Sequence, residues 1–341
     1  MRVRVVHPAE LGDAELTRWR ALQQTDPALG NPFLAPEFTL AVGRARPGAR
    51  VAVLEEGSQI VGFFPHEIRK KVIGKAIGAG ISDWQGVVAA PDLEFDAQEL
   101  IRACRLPVWE FDHLISGQRP FARFHAWREG SPVMDLSAGY EAYLSQRRAA
   151  TSGSIKAALR KRRKLAREVG ELRVVYDAQD DSLLATLMQW KSAQYRRTGM
   201  YDRFAIDWIT QVVEELTASQ APGCAGTLCG LYAGDRLVAI DLGLRSESVL
   251  VDWFPAYNTE MARYSPGVLL ALAMAEAAAT AGIPTIDLGK GPAAFKDTLK
   301  TRELPVAVGR VVVSRPVAAA RRVHLAAAGL ARRGAAALRR G

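Results

Sequence analysis

The chain has 341 residues, 49% of them apolar and 24% charged, with a formal net charge of +9. That length allows two ordinary domains, and that balance excludes a disordered chain, a collagen-like repeat and a lone small module. The longest charge-free run, 216–234, holds Gln220, Pro222 and four glycines, so it does not make a membrane-spanning helix.

Arg2 and Arg4 lead into Pro8, Glu10 and Asp13 instead of an unbroken apolar stretch, so no signal peptide and a cytoplasmic location are expected. Cys104, Cys224 and Cys229 are odd in number and have no second ligand pair, which points to buried thiols rather than a disulfide framework or a zinc site. The positive charge is concentrated. Residues 147–167 carry nine Lys/Arg and no acid, residues 315–341 carry seven Arg and no acid, and the remainder has 29 bases against 36 acids. Each basic block is either a solvated face or a surface for a polyanion: membrane, nucleic acid or phosphorylated substrate.

In chain order, a strand at Val3–His7 opens a first unit. Leu16-x-x-Trp19-Arg20-x-x-Gln23 follows, and it recurs as Leu187-x-x-Trp190-Lys191-x-x-Gln194, an offset of 171 that also pairs Phe33 with Phe204 and Val42 with Val213. Leu54-Glu-Glu-Gly57-Ser-Gln-Ile60-Val61 is echoed by Leu231-Tyr-Ala-Gly234-Asp-Arg-Leu237-Val238, each reading as strand, glycine turn, strand. Trp109–Asp112 and Thr285–Asp287 form a later pair. The echoes predict a duplicated unit of strand, two helices, hairpin, strand, helix and strand, which fits mixed α/β. Between the copies, 154–169 reads as a basic connecting helix stopped by Gly170, and the second copy opens with a strand at Leu172–Tyr176. The expected boundaries are 1–140, 141–170, 171–314 and a tail at 315–341. If helical, the tail puts six arginines on one side and Val323, Leu330 and Leu338 on the other, a pattern suited to an anionic membrane surface or to a frayed end.

Three stretches of the second copy carry candidate chemistry. The strand Val249–Trp253 delivers Asp252, a carboxylate leaving an apolar run with a raised pKa, suited to a base or to a structural bond; Tyr257 follows as a proton donor. Ser265-Pro266-Gly267-Val268 opens the apolar run Leu269–Ala281 as a helix start, with Ser265 as cap and Pro266 at the first position, a place for phosphate or an ordinary capped helix. Thr285–Asp287 then breaks into a glycine-rich loop, Gly289-Lys290-Gly291, followed by Phe295-Lys296, where Lys296 suits a phosphate or a leaving thiolate. Neither GxGxxG nor GxxxxGK[ST] is present, and the histidines form no metal or triad pattern.

These stretches, with Asn31-Pro-Phe33, Pro36-Glu-Phe38, Ile60-Val-Gly62 through Pro65, Ser82-Asp83-Trp84-Gln-Gly86 and Arg160-Lys-Arg-Arg163, resemble the GNAT acyltransferase superfamily, and within it the cellulose-biosynthesis-associated (CelD/BcsL-type) acetyltransferases. The resemblance implies two tandem GNAT-like domains, each a mixed, mostly antiparallel sheet flanked by helices. It implies acetyl-CoA or another acyl-CoA as co-substrate and no metal, with the diphosphate on Ser265, Pro266, Gly267 and Val268 and the pantetheine beside Trp253–Pro255. The superfamily's Gln/Arg-x-x-Gly-x-Gly/Ala signature is not met, because Pro266 and Val268 stand where its glycines belong.

With nothing like Ser-Pro-Gly in the first copy, one active site per chain is expected. The first half would shape the acceptor pocket through Asp83 and Trp84, with Asp287 alongside. The expected activity is transfer of an acyl group to an amine or hydroxyl of a small molecule or saccharide, in polysaccharide or cell-envelope synthesis. Asp252 would act as base, with Tyr257 or Lys296 assisting the thiolate. Two rivals are kept. One is a Fem-type aminoacyltransferase with a charged tRNA on the Arg160–Lys164 cluster. The other is a non-catalytic adaptor on the inner membrane face.

Overall fold

A computed structural model of the chain describes residues 1–69, 73–151, 153–291, 293–314 and 316. The Arg-rich tail expected at 315–341 therefore lies outside the described residues, Pro316 apart. Among the described residues, no helix is long and apolar enough to cross a membrane.

The first half runs β1 (Arg2–Val6), α1 (Asp13–Gln23), α2 (Pro36–Ala45), β2 (Ala49–Glu56), β3 (Gln59–Arg69), β4 (Ile73–Ala76), β5 (Val88–Ala89), α3 (Ala97–Ala103), β6 (Val108–Ile115) and β7 (His125–Asp135). Helices α4 (Tyr140–Ala150) and α5 (Ser154–Glu168) connect the halves. The second half runs β8 (Leu172–Val175), α6 (Asp181–Arg197), α7 (Asp207–Ala218), β9 (Ala225–Ala233), β10 (Arg236–Arg245), β11 (Val249–Val251), β12 (Ala256–Tyr257), α8 (Pro266–Thr280), β13 (Thr285–Asp287), α9 (Ala294–Leu299) and β14 (Arg302–Val312).

These strands make one sheet in the order β1-β2-β3-β4-β6-β14-β7-β13-β11-β10-β9-β8, with β5 on β3 and β12 on β10. The order reads the same from either end. β4 with β6 and β11 with β13 are the parallel pairs, and the other ladders are antiparallel. At the centre the last strands cross over: β14 lies beside β6 of the first half, and β7 lies beside β13 of the second. The echoed segments occupy matching places. Gly57 and Gly234 turn the β2–β3 and β9–β10 hairpins with φ of +60° and +55°, values that only glycine adopts freely.

The core is shared as well. Trp19 is fully buried against Phe63 and gives its indole N–H to Leu34 O, while Val42 on α2 and Val213 on α7 sit in the same apolar cluster. Arg44 on α2 pairs with Glu215 on α7, again 171 residues apart. A second cluster packs α4, α5 and α8 over β9 and β10, and a third packs α3 on the first half's sheet. The three cysteines are free and buried, as their spacing suggested.

Candidate active site

The sheet of the second half parts where β11 ends. Val251 still pairs with Asp287, and Asp252 N–H donates to Asp287 O at 2.8 Å. Beyond that point the chain swings onto β10, where Phe254 N–H donates to Leu242 O at 3.0 Å and β12 pairs with Ala239 and Ile240. On the other side, Leu288 N–H turns to Pro132 O. The wedge left between is a cavity of about 690 Å³ that reaches from Asp241 and Asp252 to the start of α8. Asp252, Trp253, Pro255, Tyr257, Ser265, Pro266, Gly267, Val268, Lys296 and Asp83 all line it. Segments 200 residues apart in sequence are thus brought to one place.

At the inner end lies an acid pair. Asp241 is 1% exposed on β10, and neither of its carboxyl oxygens has a hydrogen-bond partner among the described residues; the Asp252 carboxyl is its charged neighbour. Two buried carboxyls that interact disfavour each other's ionisation, so the first proton to leave belongs to the pair and not to either residue alone. Burial raises both pKa values, and for Asp241 the neighbouring Asp252 raises it further. Lys191 on α6 moderates the pair. Its ammonium donates to Pro255 O at 2.7 Å, and burial lowers its pKa while Asp252 and Asp241 work against that. Neither Asp241 nor Lys191 was singled out from the sequence. The available signal was a charged residue at an inward position of an apolar element, in Val238-Ala-Ile-Asp241-Leu and in the helix around Trp190.

Lys296, on α9, donates to Gly289 O at 2.9 Å and to Lys290 O and Gly291 O at 3.0 Å. All three ammonium protons are engaged, so the side chain ties the glycine-rich loop into an arc beside the acids. Burial lowers its pKa, and Asp252 opposes that. Tyr257 lies on the same cavity, more than one third exposed.

The first half closes one wall. Asp83 accepts from Lys290 N–H at 3.0 Å, Trp253 Nε1 donates to Ile81 O at 2.7 Å, and Arg203 Nε donates to Gly80 O at 2.9 Å. The Trp253 side chain therefore holds the 77–84 loop. Trp84 does not reach this cavity. Its indole N–H donates to Asp287, whose carboxylate also accepts from Asn31 Nδ2 at 3.1 Å, Gly289 N–H at 2.9 Å and Ser131 Oγ at 3.3 Å. Burial pushes Asp287 up to about 6 against those donors. Residues along β13 alternate sides, so Asp287 and Trp84 face a different cavity, of about 850 Å³ on the opposite side of the sheet.

The start of α8 differs from the expectation in two respects. Ser265 occupies the cap position but is left-handed, with φ +57°, and makes no side-chain cap bond. The amides are also less free than the Ser-Pro-Gly reading implied. Pro266 has no N–H, and Val268 and Leu269 both donate to Ser265 O at 3.1 and 3.2 Å. The Gly267 N–H alone among these lacks an acceptor among the described residues, and a Cβ built on Gly267 would meet nothing within 4 Å. The site is built of oxygen acids, lysines and backbone amides, and no group of three or more His, Cys, Asp or Glu suited to a metal occurs among the described residues.

Residues 153–297 match the family model of the acetyltransferase (GNAT) domain. No curated protein matches the sequence. Among solved structures, FemX superposes with a TM-score of 0.63 at 10% identity, covering 93% of this chain and 98% of that one. The C-terminal domain of a putative lysylphosphatidylglycerol synthetase from Agrobacterium fabrum gives 0.56 at 14%, covering 92% and 95%. A tandem GNAT protein from the clavulanic acid biosynthesis pathway gives 0.50 at 12%, covering 92% and 99%. At these identities the likeness is one of fold: the mixed α/β architecture expected from the sequence is that of tandem GNAT structures.

Proposed function

We propose that the protein is an acyl-CoA-dependent acyltransferase with one active site per chain, in the wedge between β11–β12 and the loop after β13, acting on an amine or hydroxyl of a small molecule or saccharide. The observation that carries this reading is the single cavity that joins the acids Asp241 and Asp252 to the start of α8. A thioester whose phosphates lie at that helix start and whose pantetheine runs along Trp253–Pro255 has its carbonyl near the acids.

The acceptor attacks that carbonyl directly. The ionised member of the Asp241–Asp252 pair takes the proton that the acceptor loses, with a basicity raised by burial towards neutral pH. The backbone N–H of Trp253, which has no acceptor among the described residues, is available to the oxyanion. When the carbon–sulfur bond breaks, Tyr257 supplies a proton to the departing thiolate, while Lys296 keeps the loop carbonyls in place. A role in polysaccharide or envelope synthesis, as in the CelD/BcsL-type group, belongs to this proposal and rests on the sequence resemblance.

The test is calorimetric titration with acetyl-CoA, followed by thiol release in the presence of candidate acceptors. Binding at one site per chain is expected; no heat and no thermal shift at millimolar acetyl-CoA would remove the donor. A charged tRNA is the rival donor, favoured by the exposed Lys156, Arg160, Arg163 and Arg167 on one side of α5. RNA that co-purifies and blocks the cavity, with CoA silent, would replace the first reading by that one.

A further inference from the structure

Arg203 lies on the wall of the wedge with its guanidinium held in place by neutral groups. Its Nε donates to Gly80 O at 2.9 Å and its Nη1 to the Tyr195 hydroxyl at 3.1 Å, and its guanidinium carbon lies 5.3 Å from the centre of the Tyr195 ring. Gly80, Tyr195 and Arg203 all line the 690 Å³ cavity. These contacts fix the plane of the group and use two of its five N–H donors, so three remain. Met200, on the same wall, is 54% exposed, which opens this part of the cavity to solvent.

The neighbouring charges are already matched. Lys290 pairs with Asp83 and Asp112, Arg196 pairs with Asp202 at 3.1 Å, and Lys191 and Lys296 donate to backbone carbonyls beside Asp241 and Asp252. Asp202, next in sequence to Arg203, accepts from Ser192 Oγ, Arg196 Nη1 and Phe204 N–H. No carboxylate among the described residues comes within ion-pair distance of Arg203. A guanidinium does not lose its proton, and its planar fork matches a carboxylate or a phosphate. A half-buried, oriented and unmatched guanidinium on a cavity wall is an arrangement completed by an anion.

We infer that Arg203 receives a carboxylate or phosphate carried by the acceptor, whose amine or hydroxyl then lies at Asp241 and Asp252. The spacing allows one small molecule to do both: Tyr195 follows Lys191 by one turn of α6, a rise of about 6 Å, and Lys191 lies beside the acids. That the anion belongs to the acceptor rests on the acyltransferase reading; the anion site does not.

The experiment has two parts. In the first, the Arg203 Nε–H resonance of the full chain, assigned by its loss in Arg203→Gln, is followed as inorganic phosphate or acetate is added. A saturable shift is expected, and the tighter of the two anions tells phosphate from carboxylate; a resonance that neither moves would overturn the inference. In the second, thiol release from acetyl-CoA is measured with glucosamine, glucosamine 6-phosphate and muramic acid, which present one amino sugar bare, with a phosphate and with a carboxylate. Wild type is expected to prefer an acid form over glucosamine in kcat/KM by about tenfold or more, the scale of a charge-assisted hydrogen bond. Arg203→Gln brings that ratio near one through KM, and Arg203→Lys restores part of it. A wild-type ratio near one would overturn the inference, as would a ratio that survives Arg203→Gln, which marks an arginine that only ties the two halves together. An anion that moves the resonance of a chain to which acetyl-CoA does not bind would keep the anion site and sink the acyl-CoA reading.

Discussion

In the first half, the gap that opens where β4 leaves β6 is filled by the chain itself. The loop after β4 returns and lays Gln85 beside β6. Its side-chain carbonyl accepts from Asp112 N–H at 3.0 Å and His113 N–H at 3.3 Å, its amide donates to the Asp112 carboxylate at 2.5 Å, and its own backbone carbonyl takes Ile115 N–H at 3.0 Å. In the second half, the matching gap beyond β11 and β13 is left as the 690 Å³ cavity, with acids at its inner end. Both halves fold the same way, so the fold does not decide which wedge can take a ligand. One glutamine that satisfies the parted strands makes a plug, whereas Asp241 and Asp252 beside an open cavity leave a site.

That contrast can be broken in four ways. The largest effect is expected at the acids: Asp252→Asn lowers the rate of thiol release by about 10²- to 10⁴-fold, the usual range for a general base, with thioester affinity little changed. Wild-type rate should also rise with pH through a range above that of an ordinary carboxylate, since burial raises the pair, and a profile already flat at pH 4 would exclude it as the base.

Next comes the plug. Gln85→Ala strands the Asp112 and His113 amides and should cost about 2–3 kcal/mol in denaturant unfolding, given the penalty for buried groups left unpaired. CoA stoichiometry should stay at one; a second equivalent would mean that the first wedge is only blocked and retains a site. Third, Gly267→Asp puts a negative charge at the free amide and should weaken CoA about tenfold or more, about 1.4 kcal/mol. Gly267→Ala should fold normally because the Cβ has room.

The smallest effect is a dependence of stability on pH. A carboxyl whose pKa is raised by folding adds stability below its unfolded pKa and loses it as pH rises through the folded value. Asp241→Asn removes that loss, so its melting temperature should exceed that of wild type at pH 8, and the gap should close towards pH 4. Equal gaps at both pH values would mean that the pair does not titrate as described.

Much of this was legible in the chain. The echoed hairpins needed glycine at a tight turn, and that requirement is local, so it shows in sequence. The start of α8 was legible for a similar reason, since proline suits only the first helical turn. Several residues that line the wedge were named, because Asp252, the Ser-Pro-Gly turn and Phe295-Lys296 sit at strand ends and loops, whereas Asp241 and Lys191, inside apolar elements, were not. Their individual states were not legible. Ser265 looked like a cap, yet its hydroxyl accepts from Lys161, 104 residues earlier. Asp287 was read as lining the acceptor pocket and Lys296 as assisting the thiolate, yet each is enclosed by partners, four donors on the one and three carbonyls on the other.

What the sequence by itself determined was the succession of elements, their duplication and the short list of positions able to do chemistry, because periodicity, turn chemistry and charge are properties of neighbouring residues. What only the tertiary structure decided was which of those positions face a cavity. β13 sends Asp287 to one side of the sheet and Ile286 and Leu288 to the other, and the crossing of β7 and β14 brings first-half loops to a second-half wedge. A carboxyl is a base or a latch according to the donors around it, and those donors come from strands that meet only when the sheet closes.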